Sequence, residues 1–482
     1  MKVLLINPTH NYDRGDRPPS YFPLGLGYIG RYLLKNGYKV ETFDIWAHQW
    51  PKEEVIRRIP ELDYDIAMIS GMVTQYKYIK WLSKELKKHH NGPIVLGGGL
   101  AMFSANVVLR NMDVDICVQG DGELIAPDIV KNLDNLYSIA GITYKTEGQI
   151  YVNPPADLVK NLDDIEFPAW ELFPLDIYLG TPGTHEGYFG KQMNIISGRG
   201  CPYQCNFCSK IYKTTRIRSP ENVALEIREL QSKFGVHIIE FTEELVMISS
   251  QRMLKLCEAL KQLNIKWSCQ GRINHATLEV LKAMKDAGCT EVGYGIESGS
   301  RKILDAMNKN SDPELALQAI ENTRKAGLRP VPQMMYGYPG ENDETLKETI
   351  EWCNKAHVDV NNLSLLTPIP GTPVYDKCIA DGRIKNEDEY LETLEGTGTF
   401  MVNLTGWRDE ELLRKKKEAE DAIHKNYYKW RRTNPLQFSK EYLYKAKRFY
   451  GYVKKHGLVK AVKDAYKLYR KNPDYIFQAE YQ

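Results

Sequence analysis

Three cysteines crowd into one short run, Gly200-Cys201-Pro202-Tyr203-Gln204-Cys205-Asn206-Phe207-Cys208. Thiolates are metal ligands, but three on one loop leave a tetrahedral zinc site a ligand short unless a fourth arrives from elsewhere. The same three can hold three irons of a [4Fe–4S] cluster and leave the fourth iron open. An open iron can bind a small molecule and deliver an electron to it. Zinc with a distant fourth ligand and three unlinked thiols are the competing readings. The other six cysteines, Cys117, Cys257, Cys269, Cys289, Cys353 and Cys378, are scattered and read as small buried apolar residues. The opening run MKVLLINPTH lacks the long apolar stretch and small-residue cleavage site of an export signal. A cytoplasmic protein without a disulfide framework is therefore expected.

A reactive loop needs a scaffold. From Met193 onward short apolar strands alternate with amphipathic helices. Strands are expected at 193–197, 237–240, 266–269, 291–295, 329–335 and 362–366, with helices between them. This rhythm predicts a partial (β/α)6 barrel of TIM type, whose functional residues gather at the strand carboxyl ends. The cysteine run follows the first of these strands and so belongs at the barrel mouth. Gly198 and Gly200 are expected to relieve crowding where the backbone wraps a cluster.

Residues 1–125 show the same alternation, with strands at 2–7, 38–44, 65–70, 93–96 and 115–119. They predict a doubly wound, Rossmann- or flavodoxin-like parallel sheet, with ligands outside the carboxyl ends of its strands. Residues 141–190 read as a linker with a small hairpin, 142–144 against 150–152. Residues 405–482 lose strand character and read as helices at 409–428, 440–456 and 459–470. Residues 441–482 carry ten Lys/Arg against four Asp/Glu, interleaved with Tyr and Phe. They are read as helices packing on the barrel with a solvated basic face, or as a surface for an anionic or membrane-bound substrate. The expected domains are 1–140, 141–190, 191–400 and 401–482. A length of 482 residues suits about three such units. The balance of 64 Lys+Arg against 62 Asp+Glu argues against a general nucleic-acid coat. No apolar run reaches the roughly 18 residues of a membrane span.

Cys201-x3-Cys205-x2-Cys208, with Phe207 before the last cysteine, resembles the radical S-adenosylmethionine (SAM) enzymes. Phe241-Thr242-Glu243-Glu244 is similar to the acidic end of their second strand. Trp267-Ser268-Cys269-Gln270-Gly271-Arg272 is similar to their third, and Gly295-Ile296-Glu297-Ser298-Gly299-Ser300 to their fourth. Tyr336-Gly337-Tyr338-Pro339-Gly340-Glu341 and Pro370-Gly371-Thr372-Pro373-Val374-Tyr375 resemble the fifth and sixth. The resemblance implies a cluster on Cys201, Cys205 and Cys208, with SAM chelating the open iron through its amino and carboxylate groups. Arg272 would pair with that carboxylate, a task suited to a fixed guanidinium fork. Glu243 or Glu244 would receive the amino group, and spacing does not choose between them. Phe207 would touch the adenine, and Glu297 and Ser298 would hydrogen-bond SAM. For each charged residue the alternative is a salt bridge at the barrel mouth.

The first 125 residues resemble the cobalamin-binding domain that precedes one radical SAM branch. The matching segments are Phe22-Pro23-Leu24-Gly25-Leu26-Gly27-Tyr28, Ser70-Gly71-Met72, Gly97-Gly98-Gly99 and Gly120-Asp121-Gly122-Glu123. Pro23, Leu24, Gly25, Ser70, Gly97, Gly98, Gly99, Gly120, Gly122 and Glu123 would then contact the cofactor. Asp-x-His-x-x-Gly, which supplies a histidine below cobalt in other cobalamin domains, is absent. His10 lies in the right loop without that motif, so cobalt without a protein histidine below it is expected.

Together these resemblances imply a cobalamin-dependent radical SAM enzyme. Methylation of an unactivated carbon of a small-molecule, lipid or natural-product substrate ranks first. Radical oxidation or ring formation, as in the anaerobic tetrapyrrole cyclases, ranks second; an RNA- or protein-modifying enzyme is a further rival. A monomer served by a small electron donor such as flavodoxin or ferredoxin is expected. Deleting 405–482 is expected to spare SAM cleavage in isolation and to impair turnover of the true substrate.

Overall fold

The computed structural model describes residues 1–9, 21–180, 183–185, 188–212, 214–360, 363–434 and 458. His10 and the expected helices 440–456 and 459–470 lie outside the described residues.

The first sheet holds β1 (Lys2–Asn7), β2 (Lys39–Asp44), β3 (Ile66–Ser70), β4 (Ile94–Gly97), β5 (Ile116–Val118), β6 (Ile142–Thr146) and β7 (Gln149–Val152). Its order is β2-β1-β3-β4-β5-β6-β7, and β1 to β5 run parallel. That is the flavodoxin-type winding, with its crevice where the order reverses between β1 and β3. Val3 and Leu5 enter one apolar cluster while Leu4 and Ile6 enter another. A strand buried on both faces reads as a continuous apolar run, as here. The hairpin expected within the linker instead extends this sheet, with β6 antiparallel to β5 and β7 outside it. Pairing with the hairpin covers the edge that β5 would otherwise leave open.

The second sheet holds β8 (Gly183–His185), β9 (Tyr188–Ile195), β12 (Val236–Phe241), β13 (Lys266–Gly271), β14 (Cys289–Glu297), β15 (Arg329–Tyr336) and β16 (Ser364–Leu365). Between β9 and β12 a separate antiparallel pair forms from β10 (Gly198–Arg199) and β11 (Arg216–Ile217). The six strands β9 and β12 to β16 are parallel, β8 flanks β9 in the antiparallel sense, and the order runs from β16 to β8. All six expected barrel strands are present. Met193, Ile239, Trp267, Tyr294 and Tyr336 turn to the apolar cluster shared with the helices. The alternate positions Gln192, Asn194, Glu240, Gln270 and Glu291 occupy the opposite face. That face is polar, where a closed TIM barrel is filled with branched apolar side chains.

Side chains and close backbone packing join the two domains at several places. The Asn194 amide brackets the Phe22 backbone, accepting its N–H at 2.7 Å and donating to its carbonyl at 3.0 Å. Lys80 donates to Asp388 and Glu392, each at 2.7 Å. Gly371, at φ +83°, meets the Phe103 ring so closely that a Cβ would lie 2.2 Å from it. The helix Asp409–Thr433 closes the described chain and buries Leu412, Ala419 and Ile423 against the barrel. No helix among the described residues is long and apolar enough to cross a membrane.

Candidate functional site

The cysteine loop leaves β10 and returns at β11. Its neck needs glycine: a Cβ on Gly200, at φ +82°, would lie 2.4 Å from the Thr214 carbonyl oxygen. The crowding that glycine relieves is therefore with the returning chain. The loop floor is pinned to the segment after the helix Arg301–Ala306. The Asn206 N–H donates to the Met307 carbonyl at 2.9 Å, and the Asn308 amide donates to the Gln204 carbonyl at 2.7 Å. The Cys208 N–H closes a turn onto the Cys205 carbonyl at 3.3 Å.

Cys201, Cys205 and Cys208 are free and half-buried, whereas the six scattered cysteines are all buried. Burial pushes the Cys208 thiol up to about 11, and the neighbouring Cys205 and Cys201 add to the rise. A thiol whose ionisation its two neighbours oppose suits a polynuclear cation that would neutralise all three. Among the described residues no three His, Cys, Asp or Glu converge on a single ion. A cube spreads its thiolates over separate irons and needs no such convergence.

Charged and aromatic groups collect beside this loop. The Arg272 guanidinium carbon lies 3.3 Å from the Tyr203 ring centroid, and Arg272 donates to the carbonyls of Lys309 and Asn310. Lys309 Nζ is 2.7 Å from Glu297 Oε1 and 5.6 Å from the Phe207 ring centroid. Glu297 itself sits at φ +67°, a costly conformation for a long side chain. Gly295 leaves the room for this pair, since a Cβ there would meet Glu297 Oε1 at 2.4 Å and Lys309 Nζ at 2.8 Å. Arg272, Glu297 and Phe207 thus come together at the loop, with Glu297 in a mouth salt bridge.

The two candidate glutamates differ sharply. Glu243 is buried, takes the Ser197 N–H at 2.9 Å and the Ser197 hydroxyl on Oε1, and leaves Oε2 without a partner among the described residues. Burial pushes its carboxyl up. Glu244 is exposed and accepts the Gly200 N–H at 3.3 Å, next to Cys201. Ser298 turns away from the mouth: its hydroxyl lies 3.0 Å from Thr349 Oγ1.

The glycines of the first sheet fall into two groups. A Cβ on Gly99 would meet nothing within 4 Å, on Gly97 only a carbonyl oxygen at 4.0 Å, and on Gly25 only Ser70 Oγ at 3.9 Å. These three border open space at the carboxyl ends of β3 and β4, beside half-buried Pro23 and Leu24 at the start of the helix Leu24–Lys35. Gly98, at φ +82°, lets that loop approach Gly71, whose oxygen a Cβ would meet at 2.6 Å. No Cβ walls off this stretch of backbone at Gly25, Gly97 and Gly99, which suits the approach of a large flat ligand. By contrast Gly120 and Gly122 are packed, with Cβ positions 3.0 Å from Ile125 and 3.2 Å from Ile29. Glu123 is buried and ion-paired with Arg199 at 2.6 Å.

Sequence reasoning missed Lys309, Arg199 and Arg216. Lys309 arrives on a crossover segment and no spacing announces it. The two arginines flank the cysteine run on both sides, a symmetry visible in the chain but meaningful only once β10 and β11 pair.

Comparison with known proteins agrees with this geometry. The radical SAM superfamily model matches residues 195–353, and the B12 binding domain model matches residues 15–130. An uncharacterised methyltransferase of Pyrococcus horikoshii, PH0819, is 30% identical over 86% of this chain and 91% of its own length. The anaerobic magnesium-protoporphyrin IX monomethyl ester cyclase of Cereibacter sphaeroides is 26% identical over 78% of this chain and 63% of its own. Among solved structures, the radical SAM methyltransferase TsrM from Kitasatospora setae, with cobalamin and a [4Fe-4S] cluster bound, superposes with a TM-score of 0.64. It covers 79% of this chain and 75% of its own at 18% identity, a likeness of fold. The chain belongs to the radical SAM superfamily, in the branch that carries a B12-binding domain ahead of the barrel.

Proposed function

We propose that this protein is a cobalamin-dependent radical SAM methyltransferase acting on an unactivated carbon. The observation that carries the reading is the gathering of Arg272, Lys309, Glu297 and Phe207 beside three free thiols, in a chain whose first sheet keeps open glycines at its strand ends. When bound, a [4Fe–4S] cluster supplies the electron that cleaves SAM to a 5′-deoxyadenosyl radical, and cobalamin supplies the methyl group.

The chain's own residues bind, orient and enclose. Cys201, Cys205 and Cys208 would hold the cluster. Arg272, held by two backbone carbonyls and a tyrosine face, presents a pre-set fork to the SAM carboxylate. Lys309 adds a second cation, and its pairing with Glu297 keeps that charge from standing alone when SAM is absent. Glu244, beside Gly200, is the better placed carboxylate for the SAM amino group. Glu243 already engages Ser197. Phe207 offers an apolar face to the adenine. Gly25, Ser70, Gly97, Gly98 and Gly99 would face the corrin.

The concave face of the second sheet is polar, with Gln192 Nε2 donating to Glu240 Oε2 at 2.8 Å and the Tyr21 hydroxyl donating to Oε1 at 2.7 Å, and this supports a small-molecule substrate over an acyl chain. Ring formation is the second reading, supported by the likeness to the cyclase. A small acidic electron donor, a monomeric state and a cytoplasmic location complete the proposal. Membrane contact through the basic tail is not needed by it.

Anaerobic reconstitution tests the reading. Iron, sulfide and cobalt should all be retained, and reductant plus SAM should yield 5′-deoxyadenosine. Absence of that product from iron-loaded protein would refute it. With a turned-over substrate, one added methylene in the product means methylation, and loss of hydrogen means ring formation.

A further inference from the structure

Arg199 and Arg216 flank the cysteine loop at its neck, directly opposite one another in the β10–β11 pair. Both guanidiniums reach out of the barrel domain into the first. Arg199 Nη1 donates to Asp121 Oδ1 at 2.7 Å and to Glu123 Oε1 at 2.6 Å. Arg216 donates from Nη1 to Asp121 Oδ2 at 2.5 Å and from Nη2 to Oδ1 at 3.2 Å. The connecting segment joins in: Asp121 accepts the Val159 N–H at 2.9 Å, and Arg216 donates to the Val159 carbonyl at 2.8 Å. Tyrosine rings lie against both cations, Tyr28 at 5.4 Å from Arg199 and Tyr212 at 4.5 Å from Arg216.

This group is deeply buried, with side-chain exposures of 9% for each arginine, 1% for Asp121 and 5% for Glu123. Two cations face two carboxylates, so the charge closes locally. Burial alone would raise the Asp121 carboxyl, but Arg216 and Arg199 outweigh it and hold the group below the usual range. Taking four charges out of water costs about as much as their attraction returns, so the cluster is a poor source of net stability. It is a good source of defined geometry, because Asp121 bridges both guanidiniums and Glu123 takes a second bond from Arg199. That arrangement ties both ends of the thiol-bearing loop to the turn after β5. The strand beside β5 is β4, which ends in Gly97, one of the open glycines.

We propose that Asp121 and Glu123 are positioning residues that lock the neck of the cysteine loop onto the first sheet and so fix the separation between the three thiolates and the open glycines of that sheet. The functional consequence rests on the family reading above; the lock itself needs no cofactor.

Two measurements on anaerobic holoprotein test it. The first is hydrogen exchange read by mass spectrometry. Asp121→Asn leaves two buried arginines facing one carboxylate, so exchange across 198–217 should quicken about a hundredfold. Peptides from β1 to β4 should keep their protection. Glu123→Gln, which leaves Asp121 bridging both arginines, should give a smaller rise. The second is electron paramagnetic resonance. A reduced cluster speeds the spin relaxation of cob(II)alamin in a distance-dependent way. Asp121→Asn should lose much of that enhancement at unchanged iron and cobalt content. Unaltered exchange across 198–217, or an unaltered enhancement with both metals in place, overturns the proposal. Should Asp121→Asn not fold, Glu123→Gln carries both readings, and wild-type values in it overturn the lock equally. If the wild-type protein holds no iron, metal analysis shows the family reading to be at fault, and hydrogen exchange still decides the lock.

Discussion

At the scale of single residues, the site works by placing a few charges where water cannot screen them. Arg272 is the plainest case, since it is buried, stacked on Tyr203 and braced by two carbonyls. Arg272→Ala should leave iron content unchanged and weaken SAM binding by about 10- to 100-fold, the range for losing a hydrogen bond to a charged group. Anaerobic calorimetry reads this directly, and unchanged affinity would remove Arg272 from the site. Cys205→Ala should abolish the brown chromophore and 5′-deoxyadenosine formation together. Glu341 makes a different prediction. It is buried, its carboxyl is pushed up to about 7 by burial, and it accepts the Gly337 N–H. The folded state therefore binds this proton more tightly than the unfolded chain does. Stability should fall as pH rises from about 4.5 to about 7 and then level off, by a few kcal/mol at most. Glu341→Gln keeps an acceptor for Gly337 and cannot ionise. Thermal unfolding between pH 5 and pH 8 should show the variant gaining on the parent as pH rises.

At the scale of elements, strand positions were legible because both sheets announce themselves as apolar runs between turn residues. The six barrel strands and the first five strands all lie where the pattern puts them. The hairpin of β6 and β7 was legible as a hairpin but not as part of the sheet, because edge pairing leaves no mark in a single strand's composition. The three cysteines were legible as candidates from their short spacing and Arg272 through the resemblance, and the fold brings Arg272 onto Tyr203 within the cysteine loop. Glu123 and Ser298 were legible only as motif letters. Their side chains face Arg199 and Thr349, and nothing local in the chain says so. Gly371 belongs to this scale as well. Its motif marks a turn, but its reason is long-range, the ring of Phe103 in the helix Gly98–Asn111 of the first domain. Gly371→Ala adds strain at positive φ to a clash with that ring. It should cost more than the ~1–3 kcal/mol of ordinary overpacking. Gly371→Ala combined with Phe103→Ala should recover the clash and not the strain, which the thermal midpoints of the two variants would separate.

At the scale of the whole molecule, the helix Asp409–Thr433 changes the expectation for the carboxyl-terminal region. Read from the sequence, 405–482 forms helices on the barrel whose loss should spare SAM cleavage and impair only turnover of the true substrate. In the fold, Leu412 and Ile423 are fully buried, and the Leu412 carbonyl accepts the Tyr336 hydroxyl at 3.1 Å. Glu420 accepts the Leu363 N–H at 2.7 Å, and Lys415 reaches Asp343 on the neighbouring helix. Tyr336 and Leu363 stand at the ends of the barrel's last two strands. Each fully buried Leu or Ile contributes about 1.5–3 kcal/mol, so Leu412 and Ile423 together carry much of an ordinary stability margin. Deleting 405–482 should therefore lower the thermal midpoint and disturb the barrel's last strands, and 5′-deoxyadenosine formation should fall with it. A milder probe separates scaffold from substrate contact. Ile423→Ala should cost about 2–5 kcal/mol while iron loading and SAM affinity persist below the new midpoint. If the truncated chain unfolds at the parent's temperature and cleaves SAM at the parent's rate, the helix is an ornament on the barrel and not its last wall.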